Sequence, residues 1–143
     1  MASKKKEKVA PKKIVKKVKA TKPKKIREVV TKGHAFIHSS FNNTIVTLTD
    51  ESGRVLSSSS GGAVGFKGTR KSTPYAASKA AEDAVAKSMK YGLREVDAFI
   101  KGPGPGRQMA VKTLRSAGLK VTALTDITPI PHNGCRPKKR PRR

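Results

Sequence analysis

Tryptophan is missing from this chain, cysteine occurs once, and only nine of 143 residues are acidic. Each scarcity removes a class of explanation. The lone Cys135 rules out an intrachain disulfide and fits a reducing compartment. Phe36, Phe41, Phe66, Phe99, Tyr75 and Tyr91 are too few and too scattered to form a platform on which successive bases stack. No apolar run approaches the roughly 20 residues that a membrane span needs. The start of the chain also lacks the apolar stretch of a secretory signal, so an intracellular location is expected.

The shortage of acid bears on catalysis as well. Asp50 and Glu51 fall in a turn, Glu82 and Asp83 on an exposed helix face, and Glu95, Asp97 and Asp126 near different strands. Metal-dependent nuclease chemistry needs clustered carboxylates, and no three of these converge. Among His34, His38, His132 and Cys135, only the last two are closely spaced, whereas a structural zinc site takes four ligands. Serine is plentiful, yet none occupies a Gly-x-Ser-x-Gly elbow. No catalytic residue, metal ligand or cofactor is therefore assigned.

What the chain has in excess is positive charge: 33 Lys and Arg, for a formal net charge of +24. The charge is unevenly placed. Residues 1–32 hold 14 basic residues against Glu7 and Glu28, a net of +12. Residues 132–143 hold six and no acid, while residues 33–131 hold 13 against seven, so each of these segments carries +6. The middle can bury one modest core. The two ends are expected to be disordered basic tails, since little apolar surface offsets the entropy of ordering them. Such tails on a basic core call for a polyanion. Polyphosphate is the strongest candidate, because each cation that neutralises a phosphate releases a condensed counterion.

Within residues 33–131 the patterning predicts an α/β domain with the order β-β-β-α-β-α-β. Ala35–Phe41 and Thr44–Thr49 read as a hairpin turning through Asn42-Asn43, residues that tolerate positive φ. Arg54–Ser59 is a third strand after the Asp50–Gly53 turn, followed by a long Gly- and Ser-rich loop. Thr73 and Pro74 open a helix that runs to about Tyr91 and stops at Gly92. Ala77, Ala80, Ala81, Ala84, Val85 and Met89 are its expected buried stripe. Glu95–Lys101, a helix over Gln108–Ala117 and Lys120–Ile127 complete the series, with helical crossovers making the last strands parallel to their neighbours. The result is a mixed five-stranded sheet with two packed helices.

The strand-to-helix junction "KGPGPGRQ" invites a nucleotide-binding reading, and its details refuse it. Gly102, Gly104 and Gly106 do not match G-x-G-x-x-G, and Pro103 and Pro105 remove two amides that a pyrophosphate cradle would use. Nor does Gly-Lys-Ser/Thr follow, as a P-loop requires. Two readings stay open: a stiff surface laid against an RNA backbone, with Arg107 beside it, or a plain connector.

Four stretches, "HAFIHSSFNNTIVTLTDESGRV", "GGAVGFKGTRKSTPYAA", "KGPGPGRQMAVKTLRSAGL" and "ITPIPHNGCRPKKRPRR", agree in order and spacing with one family. Over about residues 30–143 the chain resembles bacterial small-subunit ribosomal protein S-eleven. The resemblance implies a ribonuclease-H-like fold used as scaffold, with binding to small-subunit rRNA on the platform near the mRNA exit region. It also implies S-seven, S-eighteen and S-twenty-one as neighbours, mRNA nearby, a cytoplasmic ribosomal location, and neither membrane nor small-molecule substrate. Lys67, Arg70, Lys71 and Arg107 are the expected RNA contacts of the core. Arg136, Lys138, Lys139, Arg140, Arg142 and Arg143 are those of the tail, kept extended by Pro137 and Pro141. The alternatives weighed against this are a histone-like DNA-compacting protein and a metal-dependent nuclease on the same fold. Separately, Asn133-Gly134 offers an unhindered amide nitrogen for isoaspartate formation, set against an ordinary tight turn, which is preferred.

Overall fold

The computed structural model describes residues 29–136 together with 138 and 139; residues 1–28 of the expected arm over 1–32, and Pro137, Arg140, Pro141, Arg142 and Arg143, lie outside the described residues. The chain forms β1 (Lys32–Ser39), β2 (Thr44–Asp50) and β3 (Val55–Ser60). A 3₁₀ turn (Gly68–Ser72) leads into α1 (Pro74–Ser88). After a second 3₁₀ turn (Met89–Tyr91) come β4 (Glu95–Lys101), α2 (Arg107–Ser116) and β5 (Lys120–Asp126). The sheet order is β3-β2-β1-β4-β5. β1 pairs antiparallel with β2, as β2 does with β3, while β4 runs parallel to both β1 and β5. The expected mixed five-stranded α/β architecture is therefore present.

Alternation along the strands decides which face is covered. Ala35, Ile37, Val46, Leu48, Val96 and Ala98 are all buried and form one core with Ala77, Ala81, Ala84 and Val85 of α1 and Ala110, Val111 and Leu114 of α2. Alanine lets α1 lie close to the sheet. The serines of β3 fit the same close packing, with their hydroxyls satisfied by the helix. Ser57 Oγ donates to the Ala84 carbonyl at 2.9 Å, and Ser59 Oγ to Asp83 Oδ2 at 2.6 Å. On the other face Phe36 and Phe99 stack with ring centroids 5.2 Å apart, and His34 meets Phe99 edge-on at 5.5 Å.

Three local expectations are corrected. The hairpin turn uses no positive φ at Asn42 or Asn43. Instead Ser40 Oγ accepts from the Asn42 and Asn43 amides at 3.3 and 3.1 Å, a side-chain turn that spares the backbone the left-handed region. Met89 leaves the buried stripe and is 54% exposed, because it opens the 3₁₀ turn in which the 3.6-residue phase no longer holds. β1 also starts three residues earlier than Ala35, and the chain ahead of it is already tied down, with Val30 N donating to Tyr91 O at 2.9 Å. The helix start matches its signature: Thr73 Oγ1 accepts from Ala76 N at 3.2 Å, ahead of Pro74.

The β2–β3 turn gives a pH prediction. Asp50 is buried and accepts from Ser52 Oγ at 2.6 Å and from Arg54 N at 2.9 Å, with Arg54 Nε at 3.3 Å. The Ser52 hydroxyl above all, then the Arg54 amide and guanidinium, hold its carboxyl below the ordinary carboxylate range, against the pull of burial. A carboxyl lowered in the folded state stabilises at pH values above its unfolded pKa, and that contribution is lost as pH falls through the folded value. Asp50→Asn is thus expected to melt earlier than the parent at pH 7 and to converge with it in strong acid. Thermal melts across that range check this; an equal gap at every pH would refute it.

Candidate nucleic-acid interface

The C-terminal ends of the parallel strands β1, β4 and β5 lie at one edge of the sheet, where loop-borne ligand sites of α/β folds gather. Four features meet there: the Ser40–Asn43 turn, the Gly-rich loop after β3, the Pro-Gly junction before α2, and the chain leaving β5. Thr44 links the two loops. Its carbonyl accepts from Gly61 N at 3.2 Å, and a side chain on Gly106 would strike its hydroxyl.

The Gly-rich segment is a folded structure with its own hydrogen bonds and not only a loop. Val64 N donates to Ser60 O at 3.1 Å, Phe66 N to Gly61 O at 3.1 Å, and Thr73 Oγ1 to Arg70 O at 2.8 Å. Lys67 and Arg70 are exposed and Lys71 is half-buried. Gly65–Arg70 line an open cavity of about 430 Å³ with both Lys67 and Arg70 on its wall. Among the described residues, no ion pair joins Lys67, Arg70, Lys71 or the exposed Lys101 at the end of β4 to an acid.

The Pro-Gly junction faces inward. Gly104 N donates to Ser39 O at 2.9 Å, and a Cβ at Gly104 would lie 2.3 Å from Ser40 O and 2.4 Å from Ser39 Oγ. One at Gly106 would lie 2.3 Å from Thr44 Oγ1 and 2.8 Å from Ala77 Cβ. These glycines are bare because the end of the hairpin and α1 press against them. Of the two readings left open, the connector accounts for the glycines themselves.

Arg107 begins α2 and forms an ion pair with Asp126. Asp126 Oδ1 also accepts from Thr128 N at 3.0 Å and Thr128 Oγ1 at 2.5 Å, and Thr128 Oγ1 accepts from Gly102 N at 3.1 Å. Both Thr128 groups, ahead of Arg107, hold the Asp126 carboxyl below its ordinary range. Arg107 therefore clamps the end of β5 to the start of α2, while its guanidinium keeps further N–H donors for a phosphate. In the tail, Arg136, Lys138 and Lys139 are exposed, and Asn133 adopts φ 56°, the left-handed value of a turn. Cys135 is free and exposed. Arg140, Arg142 and Arg143 fall outside the described residues.

The acids are arranged in opposition. Of the seven in residues 33–131, Asp126 stands at this edge, and Glu82 and Asp83 of α1 are paired with Lys79 and Lys87. Asp50 and Glu51 turn at the far edge, and Glu95 opens β4 there, where Lys32 and Lys120 approach it at 3.9 and 2.9 Å. Among the described residues no three His, Cys, Asp or Glu side chains form a metal-holding group, and no helix is long and apolar enough to cross a membrane. Sequence reasoning missed Lys101 and Tyr75 at the loop edge; counting residues at the C-terminal ends of the parallel strands and at the start of α1 would have found both. A family model described as Ribosomal protein S11 matches residues 33–143, every element above except the first residue of β1.

Proposed function

The chain belongs to the ribosomal protein S11 family, and from that premise we propose that its loop-bearing edge docks on small-subunit rRNA at the platform and helps shape the mRNA exit region. The family is a structural constituent of the small ribosomal subunit, a ribonucleoprotein role in translation and not an enzyme class. In this reading the core, residues 33–131, binds by shape and phosphate contact, while the arm up to residue 28 and residues 132–143 thread between RNA helices, residues 30–32 being already tied to the sheet and to Tyr91. Lys67, Arg70 and Lys71 grip phosphates from a prefolded loop, Arg107 offers the donors that Asp126 leaves, and the tail adds Arg136, Lys138, Lys139, Arg140, Arg142 and Arg143. S-seven, S-eighteen and S-twenty-one are its neighbours, mRNA passes nearby, and the particle is cytoplasmic. The chain catalyses nothing and needs no cofactor.

The observation that carries this is the separation of charge: Lys67, Arg70, Lys71 and Lys101, none of them ion-paired among the described residues, share one edge with the origin of the basic tail, while Asp50, Glu51, Glu95 and Asp97 lie at the far one. Competition binding tests it. Folded small-subunit rRNA is expected to displace a labelled rRNA fragment at far lower phosphate concentration than duplex DNA does, at one fixed salt. Equal competition by duplex DNA would favour the histone-like alternative and overturn the proposal.

A further inference from the structure

Tyr75 has no task in the fold described so far. It is the second residue of α1, 61% exposed, and lies outside the core cluster. Helix propensity does not account for it, since Lys, Glu or Gln would serve a solvated helix surface better. Its surroundings are specific. Phe66 packs against it edge-on, with centroids 5.9 Å apart and an interplanar angle of 87°. Phe66 is itself half-buried, outside the core cluster, and forms part of the cavity wall that carries Lys67 and Arg70. On the next turn of α1, Lys79 Nζ stands 5.9 Å from the Tyr75 centroid, steadied by Glu82 at 2.8 Å. The hydrogen bonds of the Gly61–Thr73 segment hold Phe66 in the loop that carries Lys67 and Arg70, and through Phe66 the Tyr75 ring adjoins that loop.

An exposed ring with Lys79 near it and, beyond Phe66, a cavity walled by Lys67 and Arg70 fits a ligand that is flat and apolar at one end and anionic at the other. A nucleotide has that character, and base–aromatic stacking tolerates any base because each has a π face. Duplex RNA hides its base faces, so the ligand must be unpaired. Among the described residues Phe66 is the one ring in contact with Tyr75, so the site holds one base and not a series.

We propose that Tyr75 is a stacking site for a single unpaired RNA base, whose phosphate lies in the cavity lined by Lys67 and Arg70. This rests on the RNA-binding role above and names the chemistry of one part of that surface. The chain has two tyrosines and no tryptophan, so in a Tyr91→Phe chain the emission comes from Tyr75 alone. The probes are a short oligoadenylate and an abasic ribose-phosphate oligomer of the same length, which share phosphates and differ in bases. Oligoadenylate is expected to quench Tyr75, and the abasic oligomer to bind without quenching. Tyr75→Ala is expected to weaken oligoadenylate binding about tenfold, leaving abasic binding unchanged, while Tyr75→Phe retains the parent affinity. If both oligomers bind and Tyr75 emission stays constant, or if Tyr75→Ala weakens both equally, the stacking site is overturned and RNA binding stands. If neither oligomer nor folded small-subunit rRNA binds the parent chain, the RNA-binding role falls and the stacking site with it.

Discussion

Replacing Gly104 by alanine is expected to destabilise the fold by about 3 kcal/mol, the upper part of the range for overpacking a tight contact. The added methyl would lie 2.3 Å from the Ser40 carbonyl oxygen. That oxygen cannot swing away cheaply. Ser40 is held to Asn43 by its amide at 2.9 Å and its hydroxyl at 3.1 Å, and Ser39 O is already bonded to Gly104 N. For a domain of this size, such a loss lowers the melting temperature by on the order of 15 °C. Gly62→Ala is the control, because its Cβ would meet nothing nearer than Lys71 Cδ at 3.6 Å. Similar melting temperatures for the two variants would show that the junction yields, contrary to the packing described.

Deleting residues 132–143 is expected to change salt dependence more than any core substitution. The segment carries six cations and no acid. At about 0.7–0.9 counterions released per neutralised phosphate, six lost contacts reduce the slope of log K against log salt by about 4–5. Between 50 and 200 mM salt the intact chain should then lose about a thousandfold more affinity for rRNA than the truncated one. An unchanged slope would remove the tail from the interface. Replacing the tail arginines by lysine should keep the slope and still weaken binding, because the guanidinium fork pairs bidentately with phosphate and stacks on bases.

Much of the fold was legible because its determinants are local. Thr44, Val46 and Leu48 alternate with Ile45 and Thr47, and burial follows that alternation. Thr73-Pro74 and Gly92 mark the ends of the first helical segment, and Gly92 takes φ 83° as a left-handed stop. The basic character of the Gly-rich loop could also be read directly. What escaped reading depends on distant partners. Nothing near residue 104 says that Ser39 and Ser40 will press on it, and nothing near Arg107 announces Asp126, 19 positions away. Asn42-Asn43 misled because a serine hydroxyl two residues earlier supplied the turn that positive φ would otherwise have made. Tyr75 looked ordinary in a chain with few aromatics until Phe66 stood edge-on to it and Lys79 stood over its ring.

The opposed placement of acids and cations has a consequence before any contact forms. Within residues 33–131, with Asp50, Glu51, Glu95 and Asp97 at the edge opposite the positive loops, the domain carries a dipole moment of its own, and the field of a nearby polyanion exerts a torque on it. Rotational diffusion of that domain is then biased toward arrival with the loops leading, and fewer of its collisions are wasted on the wrong side. Added salt shortens the range over which that torque acts, and association slows even where the final contacts are unchanged.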